Sequence, residues 1–147
     1  MTANYSEAID AMFSRFYTDW LSGTTAIVGT VPEVFWQGVE LPEKPIVDEF
    51  WCMVSTQTVM SEQATFRNNI KRYTTSGLLV VQLFCPRSDS QSMQKGRELA
   101  ELVQTTFRSG ETANGVWFRK VRINELPAEE NSYRFNVVVE YEFDEIA

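Results

Sequence analysis

Histidine is missing from all 147 residues. That absence removes imidazole-activated serine or cysteine nucleophiles, zinc sites of the H-E-x-x-H type and histidine proton shuttles. Cysteine is scarce: Cys52 and Cys85 lie far apart in apolar runs without C-x-x-C or metal-ligand spacing. They are read as two buried, reduced thiols behaving as small hydrophobes. Long apolar runs are lacking too. None approaches the ~20 residues of a membrane span, and Glu7, Asp10, Arg15 and Asp19 break up the first twenty positions, unlike a signal peptide. The expectation is a soluble chain made in a reducing cytosol, with no membrane partner. Basic residues are outnumbered 13 to 20, for a net charge of −7. Such a balance argues against a surface built to grip nucleic acid or anionic lipid.

What is present is a core. With 44% hydrophobic residues, ten phenylalanines, five tyrosines and four tryptophans, the chain can fold unaided as one domain over 1–147. Its ending is the clearest signal. Tyr133, Phe135, Val137, Val139, Tyr141 and Phe143 alternate with Arg134, Asn136, Glu140 and Glu142, which predicts a strand with one buried face and one face that is wet or paired. Asn4 and Glu7 read as a capping box for a helix from about Tyr5 to Leu21, with Ile9, Phe13, Phe16, Tyr17 and Trp20 on its stripe and Gly23 as its stop. Gly29, Pro32, Gly38, Pro42 and Pro45 leave room for short extended pieces at Ala26 to Val28 and Val34 to Trp36.

Phe50 to Met60 reads as a strand. The polar stretch from Ser61 to Ser76 reads as a hairpin arm or a mobile loop, since its few apolar residues do not offset ~1–2 kcal/mol of backbone entropy per ordered residue. Leu78 to Cys85 is almost continuously apolar, as a central strand covered on both faces would be. Ser88 and Gln91 suggest a second capping box. Met93, Gly96, Leu99, Ala100, Val103 and Phe107 then repeat at helical spacing up to a candidate cap at Gly110. Strands at Val116 to Ile123 and Ser132 to Phe143 flank a turn from Glu125 to Asn131. This order predicts an α+β domain, two helices packed on one face of a mostly antiparallel sheet.

Carboxylates are the only plentiful acid–base groups. Asp48 with Glu49, Glu129 with Glu130, and Asp144 with Glu145 are sequence neighbours, which point to opposite sides of an extended chain and read as solvated loop and end charges. Gly23 to Gly29 and Gly110 to Gly115 lack the lysine and hydroxyl of a phosphate loop and read as turns. No catalytic, cofactor or metal site is expected; the same carboxylate pairs could bind a divalent cation between subunits, but no D-x-D-x-D-G loop supports one. One polar feature stands apart. Arg67, Lys71 and Arg72, with Phe66 and Ile70 as apolar anchors, give the arm at 61–76 the makings of a docking segment for an acidic partner, against the plainer reading of a solvated hairpin.

Several separated signals together carry a resemblance. They are the helix ending in an aromatic, Trp51 to Val54 as W-x-M-V, the segment from Gly77 to Pro86, the helix opening Ser92 to Ala100, Gly115-Val-Trp-Phe, and the ending from Tyr133 to Glu145. Over nearly the whole chain this resembles the tail terminator proteins of long-tailed bacteriophages. Cys85, where that pattern more often has a β-branched or apolar residue, and the lack of a glycine-rich turn after Pro86 depart from it. The resemblance implies a virion structural protein, not an enzyme, that assembles with itself as a hexameric ring. Such a ring caps the tail tube protein, ends tube polymerisation and meets a head-completion or neck protein, while DNA passes through without specific binding. It would sit at the head-proximal end of the tail and be assembled in the host cytoplasm. Another neck or tail-completion protein of similar fold, or a small carboxylate-based enzyme, are the alternatives.

Overall fold

The computed structural model describes residues 4–42, 46–67, 70–108, 115–129 and 131–146, without the side chains of 62–71 and of Ile146. Helix α1 (Tyr5–Val28) is followed by β1 (Glu33–Trp36), β2 (Trp51–Arg67), β3 (Ile70–Pro86), α2 (Ser92–Arg108), β4 (Trp117–Leu126) and β5 (Ser132–Ile146). The fold is the expected α+β domain: two helices on one face of a five-stranded sheet. Its order is β1-β2-β3-β5-β4, with β1 parallel to β2 and every other pair antiparallel.

Asn4 caps α1, its Oδ1 accepting from the Glu7 N–H at 2.8 Å while its side-chain amide donates to Glu7 Oε1 at 2.7 Å. The helix does not stop at Gly23 and takes in Ala26 to Val28, which the sequence had suggested as an extended piece. Gly23 is instead where α2 crosses α1: a Cβ there would lie 2.8 Å from Leu102 Cδ1. The cap is Gly29, left-handed at φ 84°, whose N–H donates to Thr25 O at 2.9 Å. The buried stripe is Ala8, Met12, Phe16, Trp20 and Thr24. It shares Phe16 and Trp20 with the predicted stripe, while Ile9 and Phe13 pack partly buried against the core and Tyr17 is exposed but still edge-on to Trp36 at 5.5 Å. Trp20 Nε1 donates to Pro32 O at 2.9 Å, tying the helix to the approach of β1.

At the start of α2 the turn is organised by Asp89, not by the predicted pair of Ser88 and Gln91. Asp89 Oδ1 accepts from the Gln91 N–H at 2.8 Å and Oδ2 from Lys95 Nζ at 2.9 Å. The Gln91 N–H first, and the Lys95 ammonium second, hold the Asp89 carboxyl below the usual carboxylate range. Gly110 lies outside the described residues. Gly96 lets α2 settle onto the sheet, since a Cβ there would come 2.5 Å from Phe135 Cε2 and 2.8 Å from Cys85 Sγ.

Beneath the helices lie Cys52 and Val54 of β2, Leu79, Val81, Leu83 and Cys85 of β3, and Phe135, Val137, Val139, Tyr141 and Phe143 of β5. The alternation read from the closing strand is therefore its real facing, with β5 an internal strand between β3 and β4. Both thiols are free and buried; burial pushes Cys52 far above the ordinary thiol range and Cys85 up to about 12. Two expectations change. The strand predicted from Phe50 to Met60 runs on to Arg67 and pairs with β3 down to Arg67 opposite Ile70, so the polar stretch is a hairpin arm, not a loop. Strand β3 is covered on one face only, for Leu78, Val80, Gln82 and Phe84 face away from both helices and are half-buried. The predicted turn shortens as well, because β4 continues to Leu126.

Candidate functional site

Alternation fixes the uncovered face of the sheet. If odd-numbered residues of β5 enter the core, then Arg134, Asn136, Val138, Glu140, Glu142 and Asp144 must emerge opposite. The register sets them beside Phe84, Gln82, Val80, Leu78, Ser76 and Thr74 of β3. Three zones result. At one end is an aromatic stack: Trp51 lies on Phe84 with ring centroids 3.9 Å apart, and Phe35 meets Trp51 edge-on at 5.4 Å. The Arg134 guanidinium covers the Phe84 ring at 4.6 Å, donates to Gln82 Oε1 at 2.6 Å and pairs with Glu129 Oε1 at 2.7 Å.

In the middle lies an aliphatic patch of Met53, Leu78, Val80 and Val138. Val138 is only 7% exposed with no helix above it. At the far end, Arg119 meets Glu142 at 2.6 Å, while Asp144 accepts from Thr74 Oγ1 at 2.6 Å and faces Arg72 Nε at 3.6 Å. Trp117, 37% exposed, stands beside them. A groove of about 420 Å³ separates Val59 and Leu78 from Arg119 and Arg122. Two polar atoms on this face, Arg134 Nε and Asn136 Oδ1, are buried and find no hydrogen-bond partner among the described residues. Such groups cost about 1–3 kcal/mol when left unsatisfied.

The residues singled out in the arm are distributed by its ladder: Phe66 is opposite Lys71, Arg67 opposite Ile70 and Thr65 opposite Arg72. The side chains of Phe66, Arg67, Ile70 and Lys71 lie outside the described residues. Arg72, the exception, is half-exposed and engaged by Asp144. The paired carboxylates do separate work. Asp48 and Glu49 are exposed in a loop, Glu129 holds Arg134, and Asp144 is a half-buried strand residue rather than a solvated end charge. Among the described residues no group of three or more cysteine or carboxylate side chains is gathered as a metal site, and no described helix is long and apolar enough to cross a membrane.

Sequence reasoning placed both helices on one face but missed what the other face carries, because Phe35, Trp51, Phe84 and Arg134 come from four different strands. It also passed over Arg119, Lys120 and Arg122, three cations within four residues of an acidic chain, all exposed on β4.

No protein-family model and no curated protein sequence matches this chain. Solved structures share its fold, two of them as follows. One, whose name states no function, aligns over 96% of both chains with a TM-score of 0.60 at 16% identity. The other belongs to the virion of a native gene transfer agent particle, covering 92% of this chain and 93% of that one with a TM-score of 0.54 at 12% identity.

Proposed function

We propose that this chain is a virion structural protein, and more specifically a tail terminator that closes into a ring on the end of a phage tail tube. The observation that carries the reading is the one-sided sheet. A domain whose helices cover one face, and whose other face pairs an aromatic stack with a nearly buried valine and two unsatisfied polar atoms, is shaped to work against another protein surface. The likeness of fold over most of its length to a chain of a gene transfer agent virion supports the same reading. Glu129, Glu142 and Asp144, the carboxylates at the two ends of the open face, are held in ion pairs with arginines, which favours a structural role over an enzymatic one.

Ring closure needs two different patches on each subunit, so that each contact leaves a free patch for the next. One rim of the ring would then fit the tube and the other would refuse a further tube layer while meeting a neck protein. The test has two parts. Light scattering on the purified chain is expected to give the mass of a closed oligomer, six subunits for the terminator reading. In a phage lacking the protein, electron microscopy is expected to find overlong tails that supplying the chain returns to normal length. Monomers, together with tails of normal length in its absence, overturn the reading; tails of normal length that lack heads favour another neck or tail-completion role.

A further inference from the structure

The two edges of the sheet are open and carry opposite charge. Among the described residues no strand pairs with β4 on the side away from β5, and none pairs with β2 beyond Val54 on the side away from β3. The Gln37 side chain extends the cover of β2 by one step, bonding Thr56 N and O at 3.0 and 3.2 Å. After it, β2 presents Val59 and Met60, 62% and 53% exposed.

The charge is divided along the same line. Between Arg15 and Arg67 the chain holds seven carboxylates and one lysine, and this segment is the rest of α1, all of β1 and nearly all of β2. Asp10 adds to it, beside Gln37 and Thr56 in a groove at the β2 edge. The opposite edge has Arg119, Lys120 and Arg122. Arg119 is paired with Glu142, whereas Lys120 and Arg122 are exposed and in no ion pair among the described residues.

We infer that copies of this chain associate head to tail, the basic β4 edge of one subunit against the acidic edge of the next formed by β2, β1 and the start of α1. This rests on the ring reading and assigns its two patches. Topology agrees with charge. Strand β4 runs opposite to β2 in the sheet, and rotation about an axis along the strands preserves direction. Neighbouring β4 and β2 edges therefore meet antiparallel, the more stable ladder. Like edges repel and unlike edges attract, which selects the heterologous contact.

The test uses two variants of the full chain. Lys120→Glu with Arg122→Glu makes both edges acidic; Asp10→Lys, Glu33→Lys, Glu40→Lys, Asp48→Lys and Glu49→Lys together make both basic. None of these exposed residues belongs to an ion pair among the described residues, so far-ultraviolet circular dichroism and melting of each are expected to match the wild type. Alone, each is expected to assemble more weakly by on the order of 100-fold in dissociation constant. Mixed in equal amounts they are expected to recover the wild-type mass, because each then offers the other an opposite edge, and salt is expected to weaken wild type and mixture alike. If the wild type assembles and either variant alone assembles as well, or the mixture stays dissociated, the edge assignment is overturned and the ring reading survives. A wild-type chain that is monomeric at every concentration and salt level overturns the ring reading itself.

Discussion

Val137 and Val138 are chain neighbours on opposite faces of β5, so one substitution placed at each separates the core from the open face. Val137 is 0% exposed. It lies between Val81 and Ile123 in the register and forms part of the core beneath the helices. An aspartate there is out of reach of water and has no cation within that core. It loses the apolar transfer energy of the valine and adds an unpaired buried charge, about 3–5 kcal/mol altogether. For a domain of this size each kcal/mol moves the melting temperature by roughly 2–4 °C, so Val137→Asp is expected to melt some ~10 °C lower or not to fold at all. Val138 sits between Val80 and the exposed Arg122. Aspartate there can turn toward water and the guanidinium, and the loss is expected to stay below about 1.5 kcal/mol. Burial raises the carboxyl of the first variant above its unfolded value, so its penalty is full at neutral pH and shrinks as the pH falls through that raised value. Urea unfolding followed by circular dichroism at pH 7 and pH 5 measures both. If Val138→Asp proves at least as unstable as Val137→Asp, the facing of β5 and the whole account of an open face are wrong.

Three further outcomes follow from single features. Gly29→Ala is expected to cost about 1–2 kcal/mol in urea unfolding from backbone strain alone, because φ is 84° and nothing lies within 4 Å of the added Cβ; no loss would place the helix end elsewhere. Cys52 and Cys85, both held protonated by burial, are expected to resist a maleimide at pH 7 in the native chain and to react together in urea; rapid native labelling of either would contradict the packing of α2 on the sheet. Asp89 has a depressed carboxyl, so its contribution is present above the unfolded carboxylate range and lost as the pH falls toward its native value. The stability gap between wild type and Asp89→Ala is accordingly expected to close on acidification, and a gap independent of pH would assign the role to packing.

Where a single periodic pattern decides an element, the sequence is enough to read it. The closing strand carries five core residues at alternate positions, and no other conformation uses that spacing. The end of α1 is different. Gly23 and Gly29 both look like stops, and the choice is made by Leu102, 79 positions beyond the first, which needs a helical glycine to lie against. The arm was half-legible for a related reason: Ser61 to Ser76 has no apolar period, and its extension comes from a ladder with β3 and then β5. Strand β3 reads as continuously apolar whether its second face is covered by the same chain or by another, so the pattern that located it could not tell that this chain leaves that face uncovered. The candidate docking residues of the arm rest on composition alone, and composition carries no register.

Charge on the edges of a sheet has a simpler use than assembly, since exposed lysine and arginine on an edge strand keep it from pairing with copies of itself. Arg119, Lys120 and Arg122 on β4, beside the register shift between Phe118 and Val121, would serve that purpose in any protein. Protection and assembly differ in what stands at the other edge. Two edges of the same sign keep every copy apart, whereas here nearly all of the net charge of −7 belongs to the segment that builds the edge opposite β4. Cations on β4 still repel another β4, and carboxylates still repel carboxylates, so symmetric pairs and disordered aggregates are disfavoured. The contact this favours is the head-to-tail one inferred above. It would leave one edge of each kind free at the ends of any open chain, and only closure would satisfy both. On that inference the same residues that guard the sheet against aggregation would bias it toward a closed ring, with the curvature of the subunit left to set the number of copies.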